Sequence, residues 1–288
     1  MTRDPTTVAY YHAPPPRRFH RWTAGFRPLP DFLILGAQKA GTTSLHRYIE
    51  LHPSVLKPRV KEVHFFDVQW WRGLRYYRGY FPTSLARAAA RLRRGGPTIT
   101  GEASPYYLAH PQVPARVRET LPKAPLIVLL RDPVERAYSH YLHNLRLGAE
   151  DCATFEEAVE AEPQRLEGEV ERMLGDDRYE SFAHRHHSYL LRGCYAAQLR
   201  AWFELFPREQ FLVLDNAELG RDPAGVYARV LDFLGLPQWQ PPHFEHHNTG
   251  GKSAPLEPAM QRRLAQHYER HNQELYELLG RDFGWTRP

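Results

Sequence analysis

Phe32-Leu33-Ile34-Leu35-Gly36-Ala37-Gln38-Lys39-Ala40-Gly41-Thr42-Thr43-Ser44-Leu45 is the stretch that decides the fold. Its apolar opening, with Asp31 before it, reads as a buried strand over Asp31–Leu35. A glycine-containing turn follows. Thr42–Leu51 then has helical spacing, with Leu45, Tyr48 and Ile49 on one face. Gln38 to Ser44 thus sit between a strand end and a helix N-terminus, where free N–H groups point outward and small residues admit a phosphate. Lys39 adds a mobile cation, and Thr42, Thr43 and Ser44 add hydroxyl donors. The spacing nearly matches GxxxxGK[ST], but Thr42 stands where that pattern needs lysine, and the lysine lies inside the loop. A kinase or nucleotide hydrolase needs a lysine on the terminal phosphates and a hydroxyl on magnesium. Transfer of a less charged group needs only a cation at the bridging oxygen, which suits Lys39. The competing reading is a plain glycine turn with an exposed lysine.

Outward from this loop the chain alternates. Ala124–Leu130 is a second buried strand, apolar on both faces, as in a parallel sheet covered by helices. Asp132 and Pro133 open a helix through Tyr141. An amphipathic helix is expected from about Ser188 to Leu205, a strand over Gln210–Leu214, and helices over Pro223–Leu234 and Pro258–Leu279. Leu85–Gly96 reads as a solvated helix, and Cys152–Ser188 as a loop-and-helix insertion. This order predicts an α/β fold with a P-loop-like, mainly parallel sheet flanked by helices on both faces. Residues 1–30 read as a poorly structured extension, and 31–288 as one domain.

The 288 residues are 42% hydrophobic and 25% charged, the balance of a soluble globular chain. Lys and Arg total 38 against 33 Asp and Glu, a mild basic excess that serves either solubility or an anionic ligand. Cys152 and Cys194 cannot build a disulfide framework. With no apolar run of export-signal or membrane-span length, the expectation is a cytoplasmic protein without a membrane span. Basic residues are not gathered with aromatics into a nucleic-acid module, so no nucleic-acid partner is expected. The histidines at His184–His187 and at His246 and His247 lack matching ligand pairs, so no metal is expected.

Four further segments carry chemistry. Arg131-Asp132-Pro133-Val134-Glu135-Arg136-Ala137-Tyr138-Ser139-His140-Tyr141 puts an arginine at a strand end and a serine two turns on, a planar fork and one more donor for a phosphate. Lys61-Glu62-Val63-His64-Phe65-Phe66-Asp67 would place Glu62, His64 and Phe66 on one side if extended. Gly101-Glu102-Ala103-Ser104-Pro105-Tyr106-Tyr107 and Arg192-Gly193-Cys194-Tyr195 with Leu199 and Trp202 complete the set.

Together these motifs resemble the sulfotransferases that use 3′-phosphoadenosine-5′-phosphosulfate (PAPS), in particular the heparan sulfate N- and O-sulfotransferases and their bacterial relatives. The resemblance runs from about Asp31 to Trp285. It implies that Gln38, Lys39, Ala40, Gly41, Thr42, Thr43 and Ser44 bind the 5′-phosphosulfate, and that Arg131 and Ser139 bind the 3′-phosphate. Glu62 is then the general base, with His64 as its rival, and Lys39 meets the leaving oxygen. Asp67, Ser104 and Tyr106 shape the acceptor site. Tyr195 is either a cofactor or acceptor contact or a core tyrosine. Gly251 and Lys252 belong either to a closing loop or to a plain linker. The implied product is 3′-phosphoadenosine 5′-phosphate, the acceptor a hydroxyl or amine on a glycan or other small molecule, and no metal takes part. Heparan-type enzymes often carry a cysteine pair absent here, and Arg where Thr43 and Lys where Ala103 stands; the fewer cations argue against a highly sulfated polysaccharide. The alternatives are a P-loop kinase or hydrolase and a nonenzymatic nucleotide-binding module.

Overall fold

The computed structural model describes residues 13–245 and 255–285. In chain order the helices are α1 (Arg18–Trp22), α2 (Thr42–Leu51), α3 (Phe65–Val68), α4 (Leu74–Arg78), α5 (Ser84–Arg94), α6 (Val113–Thr120) and α7 (Pro133–Leu147). They continue with α8 (Phe155–Leu166), α9 (Glu169–Gly175), α10 (Phe182–His186), α11 (Tyr195–Phe203), α12 (Asn216–Arg221), α13 (Pro223–Phe233) and α14 (Pro258–Leu279). The strands are β1 (Phe32–Gly36), β2 (Gly101–Ala103), β3 (Leu126–Leu130) and β4 (Phe211–Asp215).

The strands form one parallel sheet in the order β2-β1-β3-β4. Every residue of β1 and β3 is buried, so both faces of the central strands are covered. This is the parallel α/β arrangement expected from the sequence, and three of its strands start and stop within a residue or two of the expected places. β2 was not foreseen. At three residues it is too short to show a period, and its middle residue, Glu102, is a carboxylate.

The chain divides into two compact units where the sequence reads as one domain. The first comprises His12–Leu130 and Leu205–Asn248, and holds the sheet. Beside the strands it contains an aromatic cluster, in which Phe65 stacks on Tyr77 at 4.4 Å and Phe66 meets Tyr107 edge-on at 5.5 Å. Residues 13–30, expected to be poorly structured, carry α1 and a 3₁₀ turn at Thr23–Phe26. Arg27 anchors them by donating to the Phe81 carbonyl at 2.5 Å. α5 is the solvated helix expected there: Thr83 caps it, Gly95 ends it in the left-handed region, and Ala90 is its buried residue.

The second unit holds Arg131–Glu204 and the described part of Thr249–Pro288. Val134, Ala137 and Tyr141 form a stripe along α7 that packs with Phe155, Ala158 and Val159 of α8 and with Met260, Leu264 and Tyr268 of α14. The long helix expected over Ser188–Leu205 is broken: a 3₁₀ turn spans Leu191–Gly193, and α11 begins only at Tyr195. Gly193 lowers helix propensity there, and its bare Cα admits the Tyr268 ring, to which an added Cβ would come within 2.6 Å. No described helix is long and apolar enough to cross a membrane.

Candidate active site

β1 delivers the chain into the loop, and α2 receives it. Gly41 has φ of 92°, a conformation that disfavours a side chain, and a Cβ there would lie 2.7 Å from Asn216 Nδ2. Asn216 opens α12 just beyond β4 and donates to the Ala40 carbonyl at 2.9 Å. The loop is therefore propped from the neighbouring strand end. Lys39 adopts φ of 70°, a left-handed geometry costly for a non-glycine residue and frequent at ligand clamps. Intrahelical bonding at this end starts with Leu45 N donating to the Gly41 carbonyl at 3.2 Å. The N–H groups of Thr42 and Thr43 thus precede the first intrahelical bond, the arrangement that suits an anion.

Lys61 ties this loop to the candidate base. Its Nζ donates to Thr43 Oγ1 at 2.9 Å and to Glu62 Oε1 at 2.5 Å. The other Glu62 oxygen lies 3.3 Å from His64 Nε2, and His64 Nδ1 lies 2.5 Å from Asp67 Oδ2. The result is a chain Lys61–Glu62–His64–Asp67. A neutral imidazole has one N–H and can donate to only one of the two carboxylates, so a ring that serves both is doubly protonated. Burial works against the Glu62 charge, but the His64 hydrogen bond and the Lys61 cation outweigh it, and the carboxyl is held well below its usual range.

The segment is not extended throughout. His64 turns at φ of 53°, and α3 begins at Phe65. That turn brings Glu62 and His64 together, as the motif implied, but sends Phe66 into the aromatic cluster instead of leaving it beside them. Asp67 is buried behind His64, also accepting from Val68 N at 2.8 Å, so it orients the imidazole.

Glu102, from the unforeseen strand, holds the turn in place. Its side chain is wholly buried and accepts from Val63 N at 3.0 Å, Tyr77 Oη at 2.7 Å, Tyr107 Oη at 2.9 Å and Ser104 Oγ at 3.1 Å. Ser104 Oγ in turn accepts from His64 N at 3.1 Å. Desolvation raises the Glu102 carboxyl to about 7 despite these donors. Ser104, expected at the acceptor, is thus an internal link, and Tyr106 is buried with its ring edge-on to His110 at 5.3 Å. Sequence reasoning missed Lys61, Glu102 and Asn216 as site residues. The signal for the first two was present, since both lie inside motifs already singled out; Asn216 had none.

In the second unit, Asp132 caps α7 by accepting from Val134 N at 2.8 Å and Glu135 N at 3.1 Å. Arg131 forks onto Glu135 Oε2, with Nε at 3.1 Å and Nη2 at 3.0 Å. Ser139 is half-buried two turns along the same helix. Tyr195 is a core tyrosine: its ring is buried and its hydroxyl donates to the Arg131 carbonyl at 2.9 Å. Gly251 and Lys252 lie outside the described residues.

A glycine loop between the first strand and helix of a parallel sheet, tied through a lysine to a clamped carboxylate–imidazole pair, defines a group-transfer enzyme of the phosphate-loop kind. A sulfotransferase domain profile matches residues 29–274, and the chain belongs to the sulfotransferase family. It is 30% identical to human heparan sulfate glucosamine 3-O-sulfotransferase 6, over 91% of this chain and 75% of that protein. To human heparan sulfate glucosamine 3-O-sulfotransferase 3B1 it is 31% identical, over 91% of this chain and 66% of the relative. The crystal structure of a sulfotransferase from Alicyclobacillus acidocaldarius superposes with a TM-score of 0.67 at 30% identity, covering 90% of this chain and all of that one. The chain is a transferase that moves a sulfuryl group, and the kinase reading is set aside.

Proposed function

We propose that the sulfuryl donor is PAPS and that Glu62 is the base that activates the acceptor. The observation that carries this reading is the Lys61 bridge between Thr43 of the phosphate loop and Glu62, with His64 and Asp67 behind the carboxylate. It sets a proton acceptor at the edge of an anion-binding loop, the juxtaposition that sulfuryl transfer needs. With both imidazole nitrogens facing carboxylates, His64 is better suited to orient Glu62 than to take a proton itself, which favours Glu62 as the base.

In this reading the N–H groups at the start of α2 hold the 5′-phosphate, and Lys39 neutralises charge on the oxygen that leaves sulfur. Arg131 and Ser139 take the 3′-phosphate, a role that rests on their sequence motif and donor chemistry. The acceptor oxygen or nitrogen attacks sulfur as its proton passes to Glu62, and the sulfur–oxygen bond to the phosphate breaks in line. PAPS supplies the activated sulfuryl group, and 3′-phosphoadenosine 5′-phosphate is the second product. The acceptor is a glycan or other small molecule bearing a hydroxyl or amine, in keeping with relatives named for glucosamine 3-O-sulfation. Free Cys152 and Cys194 fit the proposed cytoplasmic setting.

Calorimetry tests the donor. Adenosine 3′,5′-bisphosphate should bind at least about tenfold, or ~1.4 kcal/mol, more tightly than AMP. Magnesium-dependent ATP binding with no bisphosphate preference would sink the assignment. PAPS turnover against a panel of acceptors, read by mass spectrometry, then identifies the acceptor class.

A further inference from the structure

The 3₁₀ turn just ahead of α11 packs closely on the middle of α14. Gly193 has no side chain, and the Tyr268 ring lies against its Cα in the space a Cβ would need. The Tyr268 hydroxyl donates to the Leu190 carbonyl at 3.0 Å. Further along the same pair of helices, Arg200 pairs with Glu274 at 3.2 Å. The residue after Gly193 is Cys194, and the residues flanking Tyr268 include His267 and His271. These two histidines are four apart, so they share a helix face, and their rings are 5.6 Å apart. The fold therefore brings one sulfur and two imidazoles to a common point: their ligand atoms all lie within 4.8 Å of one another. In a tetrahedral site with bonds of about 2.0–2.3 Å, neighbouring ligand atoms are roughly 3.3–3.8 Å apart. Side-chain rotations alone can close that gap, since the backbones are already held by the Gly193–Tyr268 contact.

We propose that Cys194, His267 and His271 form a binding site for one zinc-class divalent cation, with a water completing the tetrahedron. A soft sulfur with two imidazoles is the donor set that favours such ions over magnesium or calcium. On binding, the thiol gives its proton to solvent and the imidazoles bind as neutral rings. The metal would staple the first turn of α11 to α14, fixing Tyr195, whose hydroxyl supports the Arg131 backbone. A second grouping, Glu150, Asp151 and Cys152, is a poorer candidate. Arg165 already pairs with both of its carboxylates, and Glu150 also accepts from Tyr189 and from two backbone N–H groups. The proposal stands independently of the donor and the base in sulfuryl transfer.

Chelator-treated protein would be titrated with zinc against a chromophoric competitor, and separately with cobalt(II). The expected result is one ion per chain, a rise in melting temperature on saturation, and a cobalt spectrum with a thiolate charge-transfer band and tetrahedral d–d bands. His267 is exposed, so His267→Gln should fold normally, yet it should bind zinc at least about tenfold more weakly. Cys194→Ser should lose the charge-transfer band, while Cys152→Ser leaves both titrations unchanged. Failure of the wild-type chain to bind zinc one-to-one at micromolar concentration would overturn the site. So would a cobalt spectrum without the thiolate band, or unaltered binding by His267→Gln and Cys194→Ser.

Discussion

The regions around Glu62 and Arg131 of this sulfotransferase are built in opposite ways. Around Glu62 almost every functional atom is clamped: Lys61, His64 and Asp67 form a hydrogen-bonded chain, and Glu102 holds the backbone of the turn from below. Arg131, by contrast, forks onto Glu135, whose side chain is 63% exposed. An ion pair that open to solvent contributes little and is readily exchanged. The difference suits the two roles proposed for them. A base must be held at a fixed angle to the reacting proton, whereas a ligand arginine needs only to swing from one acceptor to another.

If the clamped region is the chemical one, the largest effect should come from Glu62→Gln. This change keeps the shape and removes the basicity, so steady-state kinetics should show kcat lowered at least about a hundredfold with donor affinity nearly unchanged. Full activity with an unaltered pH profile would break the comparison at its centre.

The next effect concerns Glu102. Its folded-state carboxyl is raised to about 7 from the 4.5 of an unperturbed glutamate, so between these values the folded chain holds a proton that the unfolded chain has lost. Its contribution to stability is therefore fully present below the unfolded value and lost as pH rises through the folded one. Denaturant melts should show stability falling between pH 4.5 and about 7, by up to about 3 kcal/mol from this group. Glu102→Gln, which cannot titrate, should flatten that slope. The same slope in the variant would show that other groups produce it.

Arg131→Lys sharpens the other side. A point charge replaces a fork, so the preference for adenosine 3′,5′-bisphosphate over AMP should shrink by about tenfold while AMP affinity and melting temperature hold. A large loss of stability would instead make Arg131 a structural residue. The smallest effect is at Glu135. If it competes with the 3′-phosphate for Arg131, Glu135→Gln should tighten bisphosphate binding by roughly two- to fivefold, within the energy of one exposed pair. Weaker binding would mean that Glu135 helps position the fork.

Much of this was legible in the residues. The Phe32–Leu35 and Leu126–Leu130 runs announce buried parallel strands because no other element is apolar on both faces over so few residues. The Gln38–Ser44 loop follows from residue types at fixed local spacing, and the Glu62–His64 pair from the resemblance of its motif to the sulfotransferases. Local spacing left the shape of Lys61–Asp67 open: an extended run would set Phe66 beside Glu62, but His64 turns left-handed and the period changes there. The Ser188–Leu205 helix was overextended because Gly193 answers to Tyr268, a residue 75 positions away, and not to its neighbours.

By itself the sequence determined the parallel α/β architecture and the strand–loop–helix around Gln38–Ser44, since apolar runs and turn residues carry that signal locally, while the link to sulfuryl transfer came from the motifs' resemblance to the sulfotransferases. Only the tertiary structure decided which of those residues work as one. It set Lys61 between Thr43 and Glu62, buried Ser104 and Tyr195 as internal supports, brought Asn216 under Ala40, and gathered Cys194 with His267 and His271. The physical reason is that hydrogen bonds and metal–ligand geometry act over a few ångströms of space, and the groups that meet there are separated by tens to hundreds of residues of chain, a distance along which sequence periodicity carries no signal.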